Sequence, residues 1–404
     1  MYLKGIIQIL SGNIIAQGIM FTSTFILGLY YSQEAVGTYA IFSSYIVIIS
    51  IFTSLRLEQG ISKAKRRNEV LKLLDIIITS SLCLTVIYFS ILPFTVDKLK
   101  IEIGVSLTVI YLGSISLTIF NVSNSILTYG CKFDLISKSK IIKATAFVSL
   151  LYLLKDFHSG IILSFICSHV IIYLYVKIKY DIKYKPRKNR ILNSLKRHKE
   201  FEYIYRYSVP NACLNVISQQ IPIIAGALLY PASVIGAYFL FDKIIRTPAI
   251  IIMQSLRPVL IRYYSNTKKL KSGTYYWHVL FLVMFASVYS IVAFYLTQMA
   301  MTLEAAKEWV DGSEYLIPIL IISFSQISNT ATIPYLLSLK KTKNLFYLEI
   351  LNLSSRIGVA AICLNGQSAP GNFFILISLI SLIIFMLNIL VVKLTSIEVD
   401  DVKR

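Results

Sequence analysis

The sequence predicts an all-α integral membrane protein: twelve transmembrane helices in two parallel repeats of six around a central cleft. Three observations predict it. Apolar runs have the length a helix needs to cross a bilayer, positive charge is confined to alternate connections, and the two halves carry matching residue patterns.

Apolar residues make up 56% of the 404 residues and charged residues only 15%, against about a quarter charged in soluble proteins. So few charges could not cover the surface of a soluble chain. A net charge of +20 alone would suit a nucleic-acid partner. The cations, however, sit in short clusters between apolar runs, which orients a membrane protein and excludes a nucleic-acid groove. Cys83, Cys131, Cys167, Cys213 and Cys363 show no CxxC or metal spacing, so they are expected to be packing residues. His169 and His278 likewise lack metal-spaced partners and read as structural. Neither a metal nor a cofactor is expected, and no nucleophile–base set or phosphate-cradling glycine loop points to an enzyme.

The expected spans are residues 6–30, 37–56, 73–94, 104–128, 141–156, 159–178, 208–229, 236–257, 276–298, 314–338, 345–364 and 372–393. Most approach the ~20 residues that cross ~30 Å of hydrocarbon; the fifth is short. No two-residue alternation suggests strands. The first span follows Lys4 directly and is too long for a signal-peptide core, so it is expected to be retained. Of the 40 lysines and arginines, with those near span ends counted in the adjoining connection, only Lys98, Lys100, Lys155 and Lys307 fall in odd-numbered connections, and only Lys243, Arg246 and Arg356 lie in span interiors. The rest lie at the N-terminus, in the even-numbered connections or in the C-terminal tail. By the positive-inside rule, both termini face the cytoplasm. The longest connection, 179–207, is a basic cytoplasmic linker suited to anionic headgroups. It separates an N-terminal lobe, 1–178, from a C-terminal lobe, 208–394, followed by a cytoplasmic tail, 395–404.

The halves repeat each other. Gly12, Asn13 and Gln17 match Pro210, Asn211 and Asn215 at an offset of 198, and Gly37, Tyr39 and Phe42 match Gly236, Tyr238 and Phe241 at an offset of 199. Ser54-Leu55-Arg56 and Ser255-Leu256-Arg257 are expected to end the second span of each half. Asn121, Ser123, Asn124 and Ser125 are echoed by Gln326, Ser328, Asn329 and Thr330. Six spans separate the copies, so both enter the membrane in the same sense. Such a duplication, with a cleft that rocking opens to either side, is a transporter architecture.

Charges inside hydrocarbon are costly and so mark the pathway. Span eight carries Asp242, Lys243 and Arg246; about 1.5 Å per residue from Gly236 puts Lys243 at ~10 Å and Arg246 at ~15 Å depth. Span eleven carries Glu349 and Arg356 on one face, with Arg356 ~17 Å from its cytoplasmic end. Two mid-depth arginines make a cationic site whose guanidinium forks match phosphate oxygens. The i,i+4 spacing of Asp242 and Arg246 equally allows an internal ion pair, which would leave Lys243 over. Arg56 is the fourth cation, and Glu58 is expected to pair with it or with a loop lysine. Asn211, Asn215 and Gln219 form one stripe on span seven, and Asn13 with Gln17 repeats that spacing on span one. These amides suit sugar hydroxyls and equally suit helix–helix hydrogen bonds. Pro248, Pro318 and Pro334 are expected kinks.

These residues carry a resemblance. Leu55-Arg56-Leu57-Glu58-Gln59-Gly60-Ile61 resembles the Leu-Arg-Tyr-Glu-Gln-Ala-Ile pattern of the Wzx-type polysaccharide flippases, of the multidrug/oligosaccharidyl-lipid/polysaccharide exporter superfamily. Pro210-Asn211, the run Ser218-Gln219-Gln220-Ile221-Pro222, the stretch from Gly236 and Tyr238 to Pro248, and the group Glu308, Trp309, Gly312 and Tyr315 are similar to that family as well. The likeness spans nearly the whole chain. Departures are Lys243 at the family's span-eight arginine with Arg246 a turn later, Leu57 for tyrosine, and a missing Phe-Gly before Glu308-Trp309.

The resemblance implies that an undecaprenyl-diphosphate-linked oligosaccharide, such as an O-antigen repeat unit, passes from the cytoplasmic to the periplasmic leaflet of the bacterial inner membrane. Arg246, Lys243, Arg356 and Arg56 would then hold the diphosphate, the five amides the sugars, and the prenyl tail would stay in lipid. Asp242 and Glu349 become candidate carboxylates for coupling to H+ or Na+. A polysaccharide polymerase and a chain-length regulator are the implied protein partners. Moving about two negative charges outward across ~100 mV is favourable by roughly 4–5 kcal/mol. The rival within the superfamily is an ion-coupled multidrug antiporter, expected to favour acids in its cleft. A major-facilitator carrier would show a different loop from Gly60–Arg67, and an O-antigen polymerase a large periplasmic loop.

Overall fold

The computed structural model describes residues 2–64, 66–95, 107–157, 159–179, 209–266, 272–339, 342–366 and 368–401. Every regular element among them is helical. In chain order the helices are α1 (Tyr2–Tyr30), α2 (Gln33–Ser54), the short α3 (Glu58–Lys63), α4 (Arg67–Thr95), α5 (Leu107–Tyr129), α6 (Phe133–Leu153) and α7 (Gly160–Lys179). The second half contains α8 (Val209–Leu229), α9 (Ala232–Asn266), α10 (Ser272–Met301), α11 (Leu316–Ser328), α12 (Thr332–Ser338), α13 (Thr342–Gly366) and α14 (Pro370–Asp401). Short 3-10 segments, Glu304–Tyr315 and Asn329–Ala331, precede and follow α11.

Eleven helical stretches among the described residues are long and apolar enough to cross a membrane. The expected fifth span is α6, which begins eight residues earlier than its apolar run suggests and is 21 residues long. Asp134, Lys138, Lys140 and Lys143 in its first half keep it out of the apolar set. The basic stretch 180–207 lies outside the described residues, as do Lys98 and Lys100. At the other end of the chain α14 continues to Asp401, beyond its expected span.

Two compact units are distinguished: Met1–Ile26 with Thr38–Ile217, and Leu27–Gly37 with Ser218–Arg404. In the first, Leu57, Ile61, Val70, Leu73, Ile77 and Ile126 form a core that joins α3, α4 and α5. A second cluster, Phe120, Leu127, Ile136, Ile172 and Val176, joins α5, α6 and α7. The α2–α3 junction carries two consecutive left-handed residues, Leu55 at φ 49° and Arg56 at φ 54°. Each costs about 1–2 kcal/mol for a side chain with a Cβ. The Ser54 hydroxyl stabilises this turn by accepting the Arg56 N–H at 3.2 Å.

The matching Ser255-Leu256-Arg257 does not end its helix, contrary to the expectation from the repeat. Here α9 runs on through Pro258 to Asn266, and the Ser255 hydroxyl donates to the Ile251 carbonyl inside the helix. Pro258 presets a helical φ, whereas the first copy has the left-handed pair at this place.

In the second unit, α10 shows how membrane and core faces are written. Tyr275, Val279, Leu282 and Ala286 are buried against Ala249, Ile327, Ala331 and Tyr335. Phe281, Met284, Val288, Ile291 and Tyr295 form the opposite, exposed stripe. Three-four spacing puts each set on one face, and an exposed apolar face on a spanning helix suits lipid.

The expected tenth span is interrupted at Asn329–Ala331. Pro334 follows, and without an N–H it cannot bond the Thr330 carbonyl four residues back. The first-half copy, Asn121 to Ser125, lies in the unbroken helix α5, with no proline after it. Of the other expected kinks, Pro248 lies inside the continuous α9, and Pro318 is the third residue of α11, where a proline is tolerated.

Residues Leu27–Gly37, the ends of α1 and α2 with their turn, group with the second unit. The two repeat glycines explain why. A Cβ on Gly37 would run into the Ala232 carbonyl oxygen, and one on Gly236 into that of Gln33. Only glycine permits this backbone approach. Beside it the Trp309 indole N–H donates to the Gly28 carbonyl at 2.9 Å, and the Gln33 amide to the Glu308 carbonyl.

Candidate functional site

In the second unit, α9 presents Asp242 and Arg246 one turn apart. Nη1 of Arg246 donates to Oδ1 of Asp242 at 2.8 Å, with 16% and 12% of the two side chains exposed. The ion pair that the spacing allowed therefore forms. The intervening Lys243 is exposed, its ammonium 4.9 Å from the Phe239 ring. None of the described ion pairs includes it.

Arg356 on α13 is buried. Its Nη1 donates to the Ser218 carbonyl at 2.6 Å and its Nη2 to the Ser381 hydroxyl at 2.8 Å. The first contact has a cause in the sequence. Inside α8, the Ser218 carbonyl would accept the N–H of residue 222, but Pro222 has none. Arg356 satisfies that orphaned carbonyl and ties α8, α13 and α14 together. Both partners are neutral, so its positive charge remains. Glu349, seven residues before it on α13, is half-buried and has contacts of its own. Gln219 lies exposed beside Ser218 on α8.

The remaining candidates belong to the first unit. Arg56 stands 3.8 Å from the buried Glu58 carboxylate, the pairing expected at the end of α2. Gln17 and Asn215 are half-buried and engaged with neighbours, on α1 and α8. Asn211 is in the first turn of α8, and its side chain lies outside the described ones. Asn13 on α1 accepts the Lys140 ammonium at 2.6 Å. That helix-to-helix contact is possible because Gly12 packs on Ser137 of α6 so tightly that a Cβ there would clash.

Sequence reasoning passed over Lys140 and its neighbour Lys143. Both read as cations of a cytoplasmic connection, yet they lie two to three turns inside α6. The signal was the sixteen-residue span itself, too short for ~30 Å of hydrocarbon. Lengthening it back to the Gly130–Lys132 turn takes Lys140 into the span and moves Lys143 from its edge to its middle.

The structure resembles a multidrug-resistance MATE-family transporter of the MOP superfamily in an inward-facing conformation. The TM-score is 0.68 at 15% identity, over 97% of this chain and 96% of that one. It also resembles the lipid II flippase MurJ in an inward closed conformation, with a TM-score of 0.74 at 14% identity over 96% of this chain and 87% of that one. An outward-facing MATE-family transporter gives 0.61 at 13% identity, over 98% and 96% of the two chains. The chain has the fold of these transporters. No protein-family model and no curated protein matches it. The apolar helices and this fold make it a multi-pass membrane protein.

Proposed function

We propose that the chain is a flippase of the Wzx type, which moves an undecaprenyl-diphosphate-linked oligosaccharide from the cytoplasmic to the periplasmic leaflet by alternating access. The observation that carries this reading is positive charge within spanning helices that no carboxylate neutralises. Lys243 stands outside the Asp242–Arg246 pair, and among the described residues Arg356 is bound by neutral oxygens. Such a field favours an anionic headgroup. Lys243 and Arg246 are the proposed direct contacts, joined by Arg56; Arg356 contributes potential while it holds the C-terminal helices. Asn13, Gln17, Asn211, Asn215 and Gln219 are proposed for the sugars. Asp242 and Glu349 are proposed for ion coupling, with H+ or Na+.

A multidrug exporter is the second reading. It is favoured by Asp242 and Glu349 in the same helices and by the multidrug transporters that share the fold.

In cells lacking the chain, lipid-linked oligosaccharide resolved by leaflet should accumulate on the cytoplasmic side. Lys243→Ala or Arg246→Ala should fail to restore delivery while remaining inserted. An unchanged leaflet distribution in the deletion would refute the flippase reading. The proposed orientation has its own check: a reporter after Lys269 should be cytoplasmic and one within 304–312 periplasmic.

A further inference from the structure

We propose that Lys140 and Lys143 of α6 form a phosphate-binding site inside the N-terminal unit, separate from the α9 and α13 cations. Naming a lipid-linked diphosphate as its occupant rests on the flippase reading; the anion chemistry does not.

Four observations meet there. The first is depth. At about 1.5 Å per residue from Phe133, Lys140 lies ~10 Å and Lys143 ~15 Å along a helix just long enough to cross the hydrocarbon core. The second is that neither ammonium meets a carboxylate among the described residues. The described ion pairs are Arg56–Glu58, Lys138–Asp134 and Arg246–Asp242. The third is what the lysines do touch. Lys140 donates to the Asn13 amide oxygen at 2.6 Å, and Lys143 stands 4.3 Å from the centre of the Phe120 ring. An amide and an aromatic face orient a cation without cancelling its charge.

The fourth is the surroundings. Ser139, just before Lys140 and one turn before Lys143, donates to the Asn124 amide oxygen at 3.2 Å. His169, buried on α7, packs edge-on against the same Phe120 ring at 5.4 Å between centroids. Its Nδ1 is engaged by the Phe165 carbonyl at 2.7 Å, and its Nε2 has no partner among the described residues.

Spacing of three residues puts both ammoniums on one face of α6. Two like charges held together at membrane depth oppose each other and the low dielectric. Such a pair is destabilising in the empty protein and is relieved by a divalent anion. A phosphate or diphosphate supplies that charge and accepts from several lysine N–H donors at once. Two N–H donors of Lys140, beyond its amide contact, and the three of Lys143 can turn toward such a group.

The test uses the full-length protein in detergent, as wild type, Lys140→Met/Lys143→Met and Lys140→Arg/Lys143→Arg. Sodium pyrophosphate, undecaprenyl diphosphate and uncharged undecaprenol are titrated against thermal unfolding and direct binding. The ligand-free Met variant is expected to unfold at a higher temperature than wild type, because its half-buried like charges are gone. Its affinity for undecaprenyl diphosphate should fall at least tenfold, the Arg variant should stay within threefold of wild type, and undecaprenol should not discriminate. A phosphate site with a non-lipid source would instead show pyrophosphate binding that the Met variant loses, with no preference for the lipid; that outcome keeps the site and defeats its lipid assignment. Lipid diphosphate binding that the Met variant retains would overturn this site while leaving the flippase reading intact. Wild-type protein that binds neither phosphate compound would overturn both.

Discussion

The two units handle buried positive charge in opposite ways. In the C-terminal unit, Arg246 is held by Asp242, and Arg356 answers the carbonyl that Pro222 leaves orphaned. In the N-terminal unit, Lys140 and Lys143 have an amide and a phenyl ring for company and no acid among the described residues. The difference follows the side chains. A guanidinium presents five donors in a rigid plane and can fasten several helices, while an ammonium is a compact charge on a flexible stem. The two arginines hold the C-terminal unit together, while the lysine pair of the N-terminal unit, like Lys243 on α9, stays available.

The sharpest way to break this comparison is to remove Arg356. Arg356→Ala should cost about 2–4 kcal/mol of stability, since charged hydrogen bonds and the satisfaction of a buried carbonyl are lost together. Thermal unfolding in detergent reads it. Pro222→Ala restores the missing N–H, so in that background the cost of Arg356→Ala should shrink by about 1–2 kcal/mol. If the two substitutions are strictly additive, the carbonyl-capping role is wrong.

Next in size is the glycine contact of the second unit. Gly37→Ala pushes a methyl into the Ala232 carbonyl and should cost about 1–3 kcal/mol. Protease accessibility of the α1–α2 turn should rise with it, and an unchanged digestion pattern would contradict the close approach.

Asp242→Asn sharpens the comparison from the other side by releasing Arg246. It should tighten diphosphate binding a few-fold while lowering stability by about 1–2 kcal/mol. Weaker binding would mean that Asp242 positions the arginine for its ligand.

The smallest effect belongs to Lys138 on α6, two residues from Lys140. It pairs with Asp134 at 2.9 Å, and both side chains are 57% exposed. Lys138→Ala should change stability by less than ~0.5 kcal/mol and leave phosphate binding untouched.

Much of this was legible in the sequence. Helix number and order follow from apolar length, and the repeat glycines Gly37 and Gly236 stand out at their offset of 199 because backbone contact forbids any other residue there. The Asp242–Arg246 pair was visible as i,i+4 spacing. Three features were not. Lys140 and Lys143 were hidden because charge rules read any lysine cluster beside a span as cytoplasmic, although the helix starts at Phe133. The bond that Arg356 makes was hidden because only a three-dimensional structure brings it to the Ser218 carbonyl. The repeats also diverge locally: Ser54 and Ser255 begin the same tripeptide, but a left-handed pair ends α2 while Pro258 continues α9. Asn124 stays helical, whereas Asn329, ahead of Pro334, does not.

Charge selection is the claim on which the rest depends, and reconstitution tests it most directly. Purified protein in liposomes should be offered two cargoes: undecaprenyl-diphosphate-linked sugar, read by its appearance in the opposite leaflet, and ethidium, read by fluorescence. Translocation of the anionic lipid with no ethidium movement is the predicted result. Ethidium transport without any lipid flipping would contradict it and make the chain a cation exporter.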